Sequence, residues 1–333
     1  MKFDNQDDLF RELVKIKRDL LKAQKRLRLT KERAEKSELK TRVDSLKMDL
    51  GSKLLDWGEY EKGLALFMSV SGKGDEERKI YGVSRALTDL GYYDEAQKLL
   101  MKGLRKFKKS CYLWEQCGIL NNLLGNGIQS LKCFEAAIVL MPRETPEFFY
   151  NKALALVNLR RYKEAILILD YLIEHHPGAM YLAERGECSL KTGYPYEALR
   201  YYQKALDLLN KKPEVEAGLC IYTGLSATYI ELGMRKEAME IALEGISRYP
   251  NKEPALYYNL GSTLMAMGYK EEARGVLKSG IKRFPESENL KKLLGDLDEN
   301  MDDPNGGKSA IFGILLLVAL IKRRFRRKRW QVF

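Results

Sequence analysis

The chain has 333 residues, 45% of them hydrophobic, and a formal net charge of +12 at pH 7. This is longer than one hydrophobic core usually supports, so we expect several domains or an elongated array of repeats. The charge is concentrated at the two ends. Residues 1–50 carry +5 and residues 301–333 carry +6, which leaves 51–300 nearly neutral. A nucleic-acid-binding surface along the middle of the chain is therefore disfavoured, because such a surface would be basic.

The cysteines and the N-terminal sequence predict a reducing compartment. There are five cysteines, Cys111, Cys117, Cys133, Cys188 and Cys220, with no CxxC pair among them. Their number is odd and their spacing matches no disulfide framework, so we predict free thiols. The first residues also lack the apolar stretch of a secretory signal peptide. We expect the chain to be made in the cytosol.

Residues 8–44 contain neither Pro nor Gly and are rich in Leu, Lys, Arg and Glu, which predicts one long helix within an N-terminal segment 1–43. Its apolar residues recur at alternating steps of four and three, the spacing of a coiled-coil seam: Leu9, Leu13, Ile16, Leu20, Ala23 and Leu27. Two interpretations stay open. The seam mediates a homodimer or binds a partner helix, or it packs on the first repeat.

The stretch from Trp114 to Pro142 is typical of two short amphipathic helices packed back to back. Gly118 lies where a neighbouring helix must approach closely, Phe134 is large enough to fill the gap, and Gly125 suits the turn between them. This spacing of Trp, Gly, Phe, Ala and Pro resembles the tetratricopeptide repeat, a helix-turn-helix unit of about 34 residues.

The same pattern recurs through residues 44–285. The small residue of the first helix occurs as Gly51, Ser84, Gly118, Ala153, Gly186, Ser226 and Gly261. The small residue of the second helix occurs as Gly63, Ala96, Ser130, Ala165, Ala198, Ala238 and Ala273. The resemblance implies an all-α fold, a right-handed α-solenoid of about seven repeats. Residues 286–299 suit a helix that covers the last apolar face.

A search for catalytic chemistry finds no phosphate-binding loop, nucleophile motif or metal-ligand spacing. The only histidines, His175 and His176, are adjacent and precede a proline at the end of a predicted helix. Adjacent helical residues point in different directions, so they do not form a metal site alone. We predict no enzymatic activity, no cofactor and no metal.

The resemblance also implies a binding groove lined by the first helix of each repeat, where a peptide or protein partner would lie. Tyrosine and asparagine side chains suit contacts with an extended peptide. The matching positions here are Tyr81, Arg85, Glu115, Asn122, Tyr150, Asn151, Leu154, Asn158, Glu187, Lys191, Thr223, Tyr258, Asn259 and Ser262.

The last residues differ from the repeats. Residues 300–308 have the Asp, Pro, Asn and Gly content of a linker, and 309–333 combine an apolar run with a basic cluster. Twelve apolar residues in a helix rise about 18 Å, less than the roughly 30 Å hydrocarbon core of a bilayer. We therefore keep open whether this tail spans a membrane, lies in one leaflet or is cleaved near Gly306-Gly307. The residues predicted to contact lipid are Ile311, Phe312, Ile314, Leu315, Leu316, Leu317, Val318, Leu320, Ile321, Lys322, Arg323, Arg324, Arg326, Arg327, Lys328 and Arg329.

These features predict a non-enzymatic scaffold that holds a protein partner at the cytoplasmic side of a membrane, attached through its C-terminal segment. Anionic lipid would attract the basic cluster. The alternative is a soluble scaffold or accessory subunit whose basic ends engage nucleic acid or acidic proteins.

Overall fold

The computed structural model describes residues 3–71, 75–211 and 215–299. These residues form sixteen α-helices and no strand. The helices are α1 Phe3–Leu29, α2 Arg33–Asp56, α3 Tyr60–Met68, α4 Glu76–Asp89, α5 Tyr93–Lys106, α6 Cys111–Leu123, α7 Gly127–Leu140, α8 Pro146–Asn158, α9 Tyr162–His175, α10 Ala179–Lys191, α11 Pro195–Lys211, α12 Val215–Glu231, α13 Arg235–Arg248, α14 Pro254–Ala266, α15 Lys270–Arg283 and α16 Glu288–Glu299.

From α2 to α15 the helices pack as seven consecutive pairs, each with a first and a second helix: α2–α3, α4–α5, α6–α7, α8–α9, α10–α11, α12–α13 and α14–α15. Both predicted series of small residues are buried at every position. At Gly118 of α6, an added Cβ would lie 2.6 Å from a ring carbon of Phe134 on α7. Gly51 of α2 meets the ring of Phe67 on α3 in the same way, at 2.9 Å. Small residues therefore let the two helices of a pair approach closely around a large side chain.

The turns inside the pairs use left-handed backbone conformation. Six of them place a glycine at positive φ: Gly58, Gly91, Gly125, Gly193, Gly233 and Gly268. The α8–α9 turn has Arg160 there, at φ 58°, and it is the sole non-glycine residue at positive φ in the described ranges. A side chain resists this conformation, so the turn geometry overrides the local preference of Arg160.

The described residues divide into two compact units, unit 1 up to His176 and unit 2 from Pro177 onward. In unit 1 the first helices pack in the order α2, α4, α6, α8. In unit 2 the order is α10, α12, α14, followed by α16. Within the described ranges, no second helix packs extensively against another second helix. The first helices thus form the closely spaced layer of each unit, and residues on their outer face share one surface.

The predicted single helix over residues 8–44 is wrong, because the chain leaves the helical conformation at residues 30–32 and turns back. The result is a hairpin of α1 and α2, with ion pairs from Glu12 to Lys53 and from Arg26 to Glu35. The predicted seam is used inside the chain. Leu13, Ile16, Leu20, Ala23 and Leu27 pack against α2 residues that include Val43 and Leu50. This is the second of the two interpretations, in which the helix covers the first repeat.

Two further features of unit 2 follow from the sequence. The extra residues near position 211 lengthen α11 and α12 to 17 residues each, whereas α13, α14 and α15 have 13 or 14. After α15, α16 packs on α14 and α15 and buries Leu290 and Leu297. An apolar face of the last pair is thereby covered, as expected for residues 286–299. The exact domain bounds and the right-handed path stay predictions.

No helix in the described part of the chain is both long and apolar enough to cross a lipid bilayer. The apolar and basic tail, residues 309–333, and the linker 300–308 lie outside the described residues.

Candidate functional site

Eight of the predicted groove residues lie on the first helices α4, α6 and α8 of unit 1, and six of these eight make the cross-helix contacts described below. We call these six the α4–α6–α8 strip: Tyr81, Arg85, Glu115, Asn122, Asn151 and Asn158.

Cross-helix hydrogen bonds join the middle of this strip. The amide of Asn151 on α8 donates to Glu115 Oε1 on α6 at 3.1 Å. Two turns further along both helices, the amide of Asn158 donates to Asn122 Oδ1 at 2.9 Å. Residues seven apart lie on one face of a helix, so the two bonds form successive rungs between α6 and α8. Each rung fixes the rotamers of two polar side chains.

At the α4 edge of the strip, Arg85 is held by acidic side chains. Its guanidinium donates to Asp56 Oδ1 of α2 at 2.8 Å and lies 3.9 Å from Asp89. Arg78, seven residues earlier on α4, pairs with Asp49 in the same way. The spacing of Asp49 and Asp56 therefore matches the spacing of their basic partners on the next first helix.

Aromatic rings extend the strip along the same helices. The ring of Tyr81 meets Tyr112 of α6 edge-on at 5.9 Å, and Tyr112 meets Phe148 of α8 at 6.0 Å. Tyr112 is 51% exposed, so it offers apolar area and a hydroxyl to solvent. Sequence reasoning missed Tyr112, Phe148 and Asp56. Asp56 could have been found because Asp49 and Asp56 are seven residues apart, as are Arg78 and Arg85. Tyr112 could have been found from its place six residues before Gly118.

Burial perturbs the acid–base properties of the strip. Glu115 is 7% exposed, and its removal from water raises its pKa to about 7. The hydrogen bond from Asn151 and the charge of Arg85 act in the opposite direction, whereas the charge of Glu147 adds to the rise. Burial also raises the pKa of Tyr81 to about 12, and the neighbouring Glu115 charge contributes. The centre of the strip thus holds a carboxyl group that changes charge near neutral pH.

The other predicted groove residues are dispersed. Tyr150 and Leu154 on α8 are half-buried. In unit 2, Glu187 pairs with Lys191 at 3.2 Å and accepts a hydrogen bond from Tyr202. Asn259 is buried and donates to Ser226 Oγ at 2.6 Å. The bonds of Glu187 with Tyr202 and of Asn259 with Ser226 each join two helices.

The remaining groove positions of unit 2 are Thr223, Tyr258 and Ser262. Thr223 supplies its carbonyl oxygen to the amide of Asn259, 3.3 Å away. Ser262 is half-buried and Tyr258 is exposed. Tyr258 is therefore the groove position of this unit that offers an aromatic side chain to solvent.

The histidines end a helix, as the sequence predicted. His175 is the last residue of α9 and stacks on Tyr171, and His176 follows it, 3.3 Å from Glu144. Tyr171 donates to the same carboxylate at 2.6 Å. No group of three or more His, Cys, Asp or Glu suited to a metal ion occurs among the residues that the structure describes.

Comparisons with known proteins agree with this architecture. Residues 254–287, which contain α14 and α15, match the family model of the tetratricopeptide repeat. Compared with curated proteins, the sequence has no significant match. The seventh helix pair is thus a tetratricopeptide repeat by sequence as well as by structure.

Several solved structures share the fold. A chain of the APC/C hetero-tetramer Cut9-Hcn1 aligns with a TM-score of 0.65 at 17% identity over 84% of this chain and 55% of that one. A tetratricopeptide repeat protein from Parabacteroides merdae aligns with a TM-score of 0.60 at 17% identity, over 77% and 98%. Yeast Tom70 aligns with a TM-score of 0.57 at 15% identity, over 87% and 60%. The chain thus spans little more than half of the Cut9-Hcn1 chain and of Tom70. At these identities the likeness establishes the fold, that of a helical-repeat protein built from tetratricopeptide-like pairs.

Proposed function

We propose that the chain is a non-enzymatic scaffold that binds an extended peptide segment of a protein partner on the α4–α6–α8 strip. Helical-repeat proteins of this fold present their first helices as one surface. In unit 1 the first helices α2, α4, α6 and α8 pack against one another, whereas the second helices, in the part of unit 1 that the structure describes, do not pack extensively on each other. The observation that carries the proposal is the pair of rungs from Asn151 to Glu115 and from Asn158 to Asn122.

These rungs leave hydrogen-bonding capacity for a ligand. An asparagine side chain has two amide hydrogens and two carbonyl lone pairs, and each rung uses one group of each partner. Asn158 is exposed and Asn122 is half-buried, so their remaining groups reach solvent in fixed orientations. A peptide backbone supplies both donors and acceptors, and Tyr112 beside the rungs supplies apolar area. Pre-ordered side chains reduce the entropy cost of binding.

Quantitative affinity capture tests the strip. The double substitution Tyr112→Ala plus Asn158→Ala removes the exposed aromatic and the outer rung, and neither residue is buried. The matched control is Tyr92→Ala, because Tyr92 is 55% exposed at the start of α5 in the same unit. We expect partners recovered with the unaltered protein and the control to fall at least tenfold with the double variant. Equal recovery of every partner with both variants refutes the strip as the binding surface.

We further propose that residues 309–333 tether the scaffold to the cytoplasmic face of a membrane. The support is compositional: residues 310–321 have no polar side chain, and seven of the next eight residues are Lys or Arg. Each basic residue near an anionic surface contributes about 1 kcal/mol of attraction.

Vesicle co-sedimentation tests the tether. The full chain should bind vesicles containing phosphatidylserine, bind neutral phosphatidylcholine vesicles less, and lose binding in a variant that ends at Asn300. Equal solubility and equal lack of vesicle binding for both chains would refute the tether. That result would favour the alternative, a soluble accessory subunit whose basic ends bind acidic proteins or nucleic acid.

A further inference from the structure

The third helix pair holds two thiols in contact. Sγ of Cys117 on α6 and Sγ of Cys133 on α7 are 3.4 Å apart. Cys133 is fully buried, whereas Cys117 is partly exposed. The two residues come from facing positions of the pair, each one residue before the contact of Gly118 with Phe134. The chain thus brings two oxidisable sulfur atoms together at one point of unit 1.

Close packing of the two helices does not require cysteine at these two positions. The same two positions, one residue before the small residue and one before the large residue, hold other side chains in the other pairs. In the fifth pair, Arg185 stacks on the ring of Tyr201 at 4.6 Å. Apolar side chains occupy the register in the first, second and seventh pairs: Leu50 with Leu66, Val83 with Leu99, and Leu260 with Val276. Cysteine at both positions is therefore specific to the third pair.

The two thiols have different roles in their hydrogen bonds. Cys133 donates to Cys117, and the amide of Asn121 also donates to Cys117, at 3.5 Å. Donors aimed at a sulfur favour its thiolate form, and both bonds lower the pKa of Cys117. The donation by Cys133 and its burial raise the pKa of Cys133, and they outweigh the opposite effect of the Gln129 amide, which donates to Cys133 Sγ at 3.9 Å. Cys117 is thus the more nucleophilic and the more accessible sulfur, and Cys133 lies in place to react with it second.

We propose that Cys117 and Cys133 form a reversible intramolecular disulfide when the protein meets hydrogen peroxide, with Cys117 attacking first. The thiolate of Cys117 attacks one peroxide oxygen, so an S–O bond forms, the O–O bond breaks and the departing hydroxide takes a proton to become water. Cys133, losing its proton, then attacks the sulfenic sulfur of Cys117. The S–S bond forms and the S–O bond breaks, with release of a second water. Two thiols and one hydrogen peroxide give one disulfide and two waters, and a thiol reductant reverses the reaction.

The required movement is small. A disulfide has an S–S distance of about 2.05 Å, so the sulfur atoms must close by about 1.4 Å. The bond would tie α6 to α7 across their turn, close to Glu115 and Asn122 on α6. Oxidation would therefore fix the helix pair that carries the centre of the strip.

Peptide mapping of the full chain tests the proposal without any substitution. Trypsin separates Cys133, in peptide 133–143, from Cys117, in peptide 110–132, and the second peptide also contains Cys111. After one equivalent of hydrogen peroxide and alkylation of the remaining thiols, tandem mass spectrometry should find the two peptides joined through Cys117. The intact mass should fall by two hydrogen atoms, the melting temperature should rise by several degrees, and a reductant should reverse both changes.

Substitutions test the order of attack. Cys133→Ser should leave Cys117 as a sulfenic acid that reacts with dimedone, whereas Cys117→Ser should leave Cys133 unlabelled and should abolish the cross-link. Cys111→Ser is the matched control, because Cys111 is buried on the same helix, and it should keep the cross-link. A bond from Cys111, a bond between two chains, or oxidation of Cys117 without any bond to Cys133 would each overturn the proposal.

Discussion

The buried carboxyl group of Glu115 should make unit 1 less stable as the pH rises from about 4.5 to about 7. Its pKa is about 7 in the folded protein, against 4.5 for a glutamate in water. Well below pH 4.5 the carboxyl group is neutral in both the folded and the unfolded chain, so its burial does not lower the free energy of unfolding. Between these values only the unfolded chain ionises, so the free energy of unfolding falls as the pH increases. The full loss is about 3 kcal/mol, since a tenfold change in an ionisation constant corresponds to about 1.36 kcal/mol.

The substitution Glu115→Gln should remove this penalty. Glutamine keeps the side-chain oxygen that accepts from Asn151, and it carries no charge to be desolvated. We therefore expect the variant to unfold at nearly the same denaturant concentration as the unaltered protein near pH 4, below the pKa of the unfolded glutamate. Near pH 8 it should be more stable by about 2–3 kcal/mol.

Urea unfolding followed by tryptophan fluorescence measures this difference, because Trp57 and Trp114 both belong to unit 1. A matched control is Glu174→Gln, since Glu174 is an exposed glutamate on α9 of the same unit. This control substitution removes one exposed carboxylate and leaves the buried carboxyl group of Glu115 in place. If Glu115→Gln were equally stable relative to the unaltered protein at both pH values, or destabilising only at pH 8, the assigned burial cost of Glu115 would be refuted.

Four further substitutions, one of them a control, test the packing and the turns of the helices. Gly118→Ala should lower the free energy of unfolding by about 1–3 kcal/mol, because its Cβ would overlap the ring of Phe134, whereas Gly275→Ala on α15 meets no atom within 4 Å and should not destabilise. Arg160→Gly should raise the unfolding free energy by up to about 1 kcal/mol by relieving the positive φ. Leu20→Ala should cost about 2–4 kcal/mol and increase amide exchange in α1, because Leu20 is buried against α2.

Urea unfolding and hydrogen exchange of the purified variants check these values. Equal destabilisation by the alanines at positions 118 and 275 would contradict the role of close contact. A loss of stability on Arg160→Gly would show that the arginine side chain outweighs its backbone strain. Retained protection of α1 in the Leu20 variant, combined with concentration-dependent dimerisation, would restore the coiled-coil interpretation.

The helix pairs were predictable because their determinants are local. A small residue and a large residue about 16 positions apart, such as Gly118 and Phe134, specify both helices and their contact. A glycine between them specifies the turn. The break between α1 and α2 was not predictable in this way. Residues 30–32 contain no glycine or proline, and the chain turns there because Leu20 and Ala23 gain burial against α2. Tertiary packing overrides helix propensity at this point.

The candidate site was predictable only in part. The register of the resemblance located Glu115 and Asn151 on first helices, since groove positions recur at fixed offsets from the small residue. The hydrogen bond between them depends on how far α6 and α8 are shifted along each other, which single-helix periodicity does not contain. The contact of Cys117 with Cys133 is different, because each cysteine comes one residue before the predicted contact of Gly118 with Phe134 and its position follows from that contact.

The covering helices α1 and α16 also decide how copies of this protein behave at high concentration. A stack of similar repeats exposes, at each end, the apolar face that the next repeat would cover. Proteins that expose such faces assemble head to tail. Here α1 occupies the face of α2, and α16, through Leu290 and Leu297, occupies the face of the last pair. The residues that α16 exposes are mostly charged, whereas α1 exposes Phe10, Leu21 and Leu29 among its charged residues. Head-to-tail growth on the two repeat faces themselves is blocked, because α1 and α16 occupy those faces.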